Sequence, residues 1–340
     1  MESLVHGRCV MTRGSRRLGL CVAIAACLVA SATHASEGGA SVYLLGSGGP
    51  GAAVLPPIDG VFFFNTAYHY DGKAGGNKQF LVSGNLVAGL KGNINADFAT
   101  VLFIPTTDFA GGVLALGAAL PVGVPAVDVS AVITGPRGRT VAISRSDDRL
   151  IVGDPLVTAA WGWTSGKTHI ALSGLVNIPI GQYSQGRLSN LSFHRWAGDV
   201  SLAATWLDEE RGWDLSGKAG FTFNGENPAT DYRTGTEFHV EGAIEKQFSP
   251  TWSLGLQAYY FSQVSGDSGA GDTLGPFKGE VGGVGVTGAY NFKIADKIPA
   301  TLRLHAMTEF DAKNRLEGNS VWLDFSMPLW VKTPPRASGL

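Results

Sequence analysis

Period-2 alternation, sustained over 11 to 14 residues at a time, constrains this chain more than any other feature of its sequence. In 237–248 one face reads Phe238, Val240, Gly242, Ile244 and Phe248, and the other reads Glu237, His239, Glu241, Ala243, Glu245 and Gln247. In 300–311, Ala300, Leu302, Leu304, Ala306 and Phe310 oppose Thr301, Arg303, His305, Met307, Glu309 and Asp311. In 213–224, Trp213, Leu215, Ala219, Phe221 and Phe223 oppose Asp214, Ser216, Lys218, Thr222 and Asn224. In 195–206, Trp196, Val200, Leu202, Ala204 and Trp206 oppose Arg195, Asp199, Ser201 and Thr205. Successive side chains of a strand point to opposite faces, so each segment reads as a half-apolar strand.

A soluble sandwich turns its apolar face inward; a transmembrane barrel turns it outward to lipid and keeps a polar lumen. Length separates the two. Globular strands run about 5–6 residues, whereas membrane strands need about 9–11. The segments here fit the membrane case. Strands are expected near 61–71, 84–103, 110–120, 151–163, 167–179, 195–207, 211–223, 236–248, 251–263, 280–293, 298–310 and 318–329. Short turns then alternate with long loops, as in bacterial barrels with short periplasmic turns and long outer loops. The expected fold is all-β: an antiparallel up-and-down transmembrane barrel of about twelve strands, with both termini in the periplasm. The count becomes fourteen if 121–150, which holds Val127-Asp128-Val129-Ser130-Ala131-Val132, adds a hairpin.

Composition agrees with an exported barrel. Charged residues are 16 % of the chain, against about 25 % in soluble domains, and 47 of 340 residues are glycine. A net charge of −2 leaves no basic footprint for nucleic acid. Arg13, Arg16 and Arg17, the apolar run 18–30 and the small residues ending at Ala35 form a Sec-type signal peptide over 1–35. Its 13-residue apolar run is too short to span about 30 Å as a helix. All three cysteines, Cys9, Cys21 and Cys27, lie within it, so the mature chain has no disulfide, thiolate metal site or cysteine nucleophile. The expected location is the bacterial outer membrane.

The tryptophans give a partly independent check. Trp161, Trp163, Trp206, Trp213, Trp252 and Trp330 map to periplasmic strand ends, and Trp196 and Trp322 to outer ends, as interfacial girdles require. Residues 36–60 are rich in Gly and Pro; they either fold into the lumen as a plug or form a disordered lead-in. The barrel is assigned to 61–330 and a mobile tail to 331–340.

Motifs for chemistry are sparse. Gly46 to Gly51 and Gly283 to Gly288 both satisfy G-x-G-x-x-G, but neither lies between a strand and a helix. The second lies inside a strand, where glycine permits sharp curvature. The stretch 267–272 has calcium-loop composition without the bidentate Glu, and reads as a solvated loop. No catalytic residues, metal ligands or cofactors are assigned. The lumen-lining candidates are Arg195, Asp199, Asp214, Lys218, Glu237, His239, Glu241, Glu245, Arg303, His305 and Glu309. They carry both signs, and such a wall tunes what passes. His239 between Glu237 and Glu241 reads either as a ligand cluster or as part of a wall whose acids pair with Arg195, Lys218 or Arg303.

One run is distinctive: Phe221-Thr222-Phe223-Asn224-Gly225-Glu226-Asn227-Pro228-Ala229-Thr230-Asp231-Tyr232-Arg233-Thr234-Gly235-Thr236-Glu237-Phe238-His239. Gly153-Asp154-Pro155, Asn190 to Ala197, Gly266-Asp267-Ser268-Gly269, Phe277-Lys278-Gly279, Tyr290-Asn291-Phe292 and Arg315-Leu316-Glu317-Gly318 accompany it. Together they make the chain similar to the meta-pathway-of-phenol-degradation family of outer-membrane proteins, over most of 36–329. The resemblance implies an outer-membrane β-barrel, associated with aromatic-compound degradation, that takes up small hydrophobic molecules. It implies no catalytic residues. The tail beyond Trp330 departs from the usual aromatic barrel ending.

The expected function is therefore a passive channel for small hydrophobic or aromatic solutes, with lipid as the other partner. The alternatives are a general water-filled porin, a structural barrel, and an outer-membrane lipase. A lipase needs adjacent Ser and His near the outer rim, where Ser192 and His194 are the near pair.

Overall fold

The strands of the computed structural model form one closed ring, and the outward turn of their apolar faces explains why. The structure describes residues 39–74, 79–83, 85–134, 140–273, 275–276 and 278–332. The signal-peptide reading of 1–35 and the tail from 333 onward lie outside the described residues. Twelve strands run in chain order around the barrel: β1 Gly60–Lys73, β2 Lys91–Phe109, β3 Gly112–Thr134, β4 Leu156–Ser165, β5 Thr168–Asn177, β6 Ala197–Asp208, β7 Trp213–Asn224, β8 Glu237–Gln247, β9 Trp252–Gln263, β10 Glu280–Ile294, β11 Ile298–Lys313 and β12 Glu317–Val331. Every neighbouring pair is antiparallel, and β12 pairs with β1 from Lys73↔Glu317 to Gly60↔Val331, which closes the sheet. Closure leaves no strand edge, so every spanning backbone group finds its partner in the wall. Among the described residues no helix is long and apolar enough to cross a membrane; the crossing is made by strands.

The two faces sort as the alternation requires. On β7 Trp213, Leu215, Phe221 and Phe223 are exposed, while Asp214, Ser216, Thr222 and Asn224 are buried inside. On β8 Val240 and Ile244 face out; Glu237 and His239 are fully buried. A water-soluble protein would reverse this pattern, because exposed apolar area on such a scale is unfavourable in water and neutral in lipid. Trp213 and Phe223 mark the ends of the band on β7. Ten residues of strand span about 34 Å, and at the usual 35–45° tilt about 26 Å along the barrel axis, close to an outer-membrane apolar band.

Several boundaries differ from the sequence reading. The segment 84–103 divides: 85–88 pairs with 79–82 as a small hairpin outside the ring, and β2 runs on to Phe109. β3 is 23 residues long, not 11, and its extension 126–134 pairs with Thr140–Asp148. The stretch 121–150 is thus an extension of the wall, and the ring keeps twelve strands. β6 begins at Ala197, leaving Arg195 in the preceding connection. Trp322 is not in a girdle. It is 3 % exposed, donates Nε1–H to Ser320 Oγ at 3.1 Å and meets Tyr68 edge-on at 5.0 Å. Val321 and Leu323 take the outward phase of β12, so Trp322 must point inward. Trp196, Trp206, Trp213, Trp252 and Trp330 are exposed at strand ends, where an amphipathic ring suits the interface.

The glycine run in β10 has a steric cause beyond curvature. A Cβ on Gly283 would lie 2.3 Å from the Tyr259 ring, so glycine there lets that ring lie flat against the inner wall. The loop at 267–272 is also not simply solvated. Asp267 is 3 % exposed and accepts from Tyr232 Oη, Gly235 N at 2.8 Å and Gln263 Nε2, which ties the 264–279 connection to the 225–236 connection and to the end of β9. Burial pushes its carboxyl above the usual range, against those donors.

Candidate functional site: the barrel interior

The polar side chains on the inward phase of β6 to β12 find partners across the ladder, along the same strand and on strands farther round the barrel. In register, Lys218 stands opposite Glu241, and Thr222 opposite Asp199 on one side and Glu237 on the other. Asp199 accepts from Thr222 Oγ1 at 2.7 Å and Ser201 Oγ at 2.5 Å, and contacts His239 Nε2 at 2.9 Å. Asp214 accepts from Ser216 at 2.6 Å. Glu245 holds Arg303 through both carboxylate oxygens, and Arg303 also donates to Thr287 Oγ1 at 3.0 Å. His305 lies between Gln257 Oε1 at 3.0 Å and Asp324 Oδ2 at 2.8 Å. Glu309 accepts from Tyr70 Oη at 2.7 Å, Tyr259 Oη at 3.0 Å and the Gly318 N–H at 2.9 Å. Arg195 is buried, donates Nε–H to Asn224 Oδ1 at 3.2 Å and lies 5.2 Å from the Phe193 ring centroid.

Glu237, His239 and Glu241 therefore share one inward face but look to different partners. Glu237 accepts from Ser41 Oγ at 2.8 Å and Asn224 Nδ2 at 3.4 Å. Among the described residues no cluster of three His, Cys, Asp or Glu has metal-binding geometry.

Ser41 introduces the second component of the interior. Residues 39–59, ahead of β1, make their polar contacts with the inward side chains of strands far along the chain. Glu241 accepts the Gly46 N–H at 2.9 Å and the Gly48 N–H at 2.6 Å. Ser216 Oγ takes the Gly51 N–H at 3.0 Å, and Thr205 Oγ1 the Ala53 N–H at 3.1 Å. Gln257 Nε2 donates to Gly46 O at 2.5 Å. The Tyr43 ring stacks on His239, centroids 3.5 Å apart, and Lys218 Nζ lies 4.8 Å from the Tyr43 ring centroid. The Gly/Pro composition has a direct use here: a Cβ on Gly48 would come within 2.8 Å of Glu241 Oε2, so a larger residue there would displace that carboxylate from the Gly48 N–H.

Beside this segment lies a cavity of about 400 Å³. Its wall is rich in aromatic and apolar side chains, including Tyr43, Tyr68, Tyr70, Phe98, Phe193, Tyr259, Leu156 and Leu175. Arg195, Lys218, Arg315, Asp154 and Glu309 supply its charge. A larger depression, about 980 Å³, is lined by exposed residues such as Ile244, Leu256, Val284 and Val321. Its lining also includes the buried inward residues Ser216, Gln257, Met307 and Ser320, so it borders both faces of the wall.

The sequence reading missed Tyr43, Gln257, Tyr259, Arg315 and Asp324. Gln257 and Tyr259 share the inward phase of β9 with Gln263, but Phe261 on the same phase blurs the polarity contrast. Ser192 and His194 do come close, without forming a nucleophile–base pair. Ser192 Oγ donates to Asp154 Oδ1 at 2.6 Å and accepts the His194 backbone N–H at 3.1 Å. The His194 ring stacks on Tyr183 at 4.6 Å. Asp154 also takes N–H donors from Asn177, Gly181, Phe193 and His194, so it organises the 178–196 connection.

Comparison with solved structures places the fold. An outer-membrane channel of Pseudomonas putida F1 aligns with TM-score 0.63 and 16 % identity, over 82 % of this chain and 99 % of that one. The CymD monoaromatic hydrocarbon channel aligns at TM-score 0.44 and 7 % identity, over 88 % and 98 %. A FadL homologue of Pseudomonas aeruginosa aligns at 0.36 and 12 %, over 87 % and 97 %. At these identities the likeness to the first is one of fold, that of an outer-membrane β-barrel. No curated protein matches the sequence. Residues 75–325 match the family described as "Putative MetA-pathway of phenol degradation", and the chain belongs to that family.

Proposed function

We propose that the protein sits in the bacterial outer membrane, with both termini periplasmic, and admits small hydrophobic or aromatic compounds by passive diffusion. One observation carries this reading: an aromatic-lined cavity inside the barrel, beside an N-terminal segment seated across the lumen. A wide hydrated pore would have neither. Residues 39–59 act as a plug that narrows the water path. Arg195, Asp199, Asp214, Lys218, Glu237, His239, Glu241, Glu245, Arg303, His305 and Glu309 line the lumen and set its polarity. The aromatic hydrocarbons named for the CymD channel are the kind of solute this reading assigns here. Transport rather than hydrolysis is the favoured activity, since the Ser192 hydroxyl is committed to Asp154.

The test is single-channel conductance of the refolded chain in a planar bilayer, with and without phenol. The whole chain should conduct weakly or in brief events, and a chain lacking 39–59 should give large steady steps. Large steady steps from the whole chain would favour the water-filled porin.

A further inference from the structure

The structure points to an aryl carboxylate, a one-ring aromatic acid, as the preferred ligand of the interior cavity; we infer this on top of the uptake reading, as its substrate class. The observation is Arg315. It lies in the three-residue connection between β11 and β12, where Asn314 adopts a left-handed φ of 53° and the chain turns back on itself. From there its side chain reaches into the barrel rather than into solvent. Arg315 is 8 % exposed, its guanidinium carbon lies 4.2 Å from the Phe261 ring centroid, and it forms part of the cavity wall.

A guanidinium stays charged at every physiological pH, so burying one requires either an anion or a full set of acceptors. Arg315 has an incomplete set: its Nη1 is buried with no hydrogen-bond partner, and Glu237, the carboxylate whose charge acts on it, accepts from Ser41 and Asn224 instead. The two acids of the same wall do not serve it. Glu309 takes two tyrosine hydroxyls and a backbone N–H. Asp154 is saturated by the donors of the 178–196 connection. The wall carries three cations, Arg195, Lys218 and Arg315, against those two carboxylates. Arg195 donates to Asn224 and Lys218 rests on the Tyr43 ring, and Arg315 Nη1 adds an open donor to this wall.

The rest of the wall states what the anion is attached to. Tyr68, Tyr70, Phe98 and Tyr259 bound the same cavity. Its volume of about 400 Å³ falls within the range of small-molecule sites, roughly 300–1,000 Å³. An aromatic ring fits between those side chains while its carboxylate accepts from Arg315, in the planar two-bond geometry that Arg and carboxylate share.

The experiment is calorimetric titration of the folded full chain in detergent with benzoate, benzamide and acetate. Folding of every variant is checked by heat-modifiable electrophoretic mobility. Benzoate should bind about tenfold more tightly than its neutral isostere benzamide, and acetate should bind weakly because it lacks the ring. Arg315→Gln should reduce benzoate to the benzamide level while leaving benzamide unchanged, and Arg315→Lys should fall between. Equal binding of benzoate and benzamide overturns the inference and leaves aromatic uptake standing. Acetate binding as tightly as benzoate overturns the aromatic part. Failure of all three to bind, together with no phenol effect on conductance, overturns the uptake reading itself.

Discussion

Glu241 is the side chain on which the seating of the N-terminal segment turns. Its two oxygens receive two backbone N–H groups from residues 46 and 48, and Lys218 faces it across the ladder. Hydrogen bonds to a charged acceptor contribute about 1.5–3 kcal/mol each, more than neutral ones. Glu241→Gln keeps the shape, halves the acceptor capacity and removes the charge. It should shift the balance between seated and released segment by about 1.4 kcal/mol, a tenfold rise in the open fraction of single-channel records. An unchanged open fraction would show that Glu241 does not hold the segment. That Glu241 faces the lumen follows directly from its phase in 237–248. Its partner could not be read the same way, because a two-residue period says which face a side chain is on and nothing about which loop lies over that face. Arg315 stands out in the sequence only within the run 315–318 that carries the family resemblance; its inward placement is not legible there, because it lies in a turn, where no periodicity applies.

At the scale of elements, the long β3 and the strand Thr140–Asp148 form a ribbon beyond the ring, and one ion pair ties it to the 178–196 connection. Asp147 accepts from Arg187 through both oxygens, and from the Leu188 and Ser189 N–H groups at 3.1 and 3.3 Å. Burial alone would raise the Asp147 carboxyl, but those donors prevail and hold it below the usual carboxylate range. A group with a depressed folded pKa stabilises its contact fully above the unfolded value, about 3.9 for Asp. That contribution is lost as pH falls through the lower folded value. Hydrogen exchange in 184–189 should thus be slow and constant from pH 7 to pH 5, after correction for intrinsic rates, and rise only below about pH 4. A rise already at pH 6 would rule out Asp147 as the tether. The sequence showed apolar alternation in 127–132 and left open whether it made a strand or a loop hairpin. Both descriptions have the same period, and only the pairing of Ala126↔Asp148 through Thr134↔Thr140 resolves it. The twelve membrane strands were legible because each has a full outward apolar phase. The boundaries at 84–103 and 110–120 failed where pairing continues past the apolar band.

For the whole molecule, the outward apolar band determines both where the protein resides and how it fails. Leu256 is 60 % exposed near the middle of β9, level with Ile244 and Val286 across the ladder. Leu256→Arg should destabilise the barrel by about 2–4 kcal/mol when measured in lipid, because the charge lies near the bilayer midplane. The same change at Trp330, at the end of β12, should cost about 0–1 kcal/mol. Equal costs at the two positions would mean that the band is not in hydrocarbon. The ring has a further consequence, for the order of assembly. Residues 41 to 53 precede every strand, yet their hydrogen-bond partners lie 152 to 211 residues downstream, in β6 to β9. Contacts of such separation form late, because the intervening chain must first be ordered. A segment that precedes the whole wall in sequence is therefore the last to find its place. For some interval during biogenesis the wall is complete and its interior still vacant, so a newly closed barrel leaks until its own leading segment settles in.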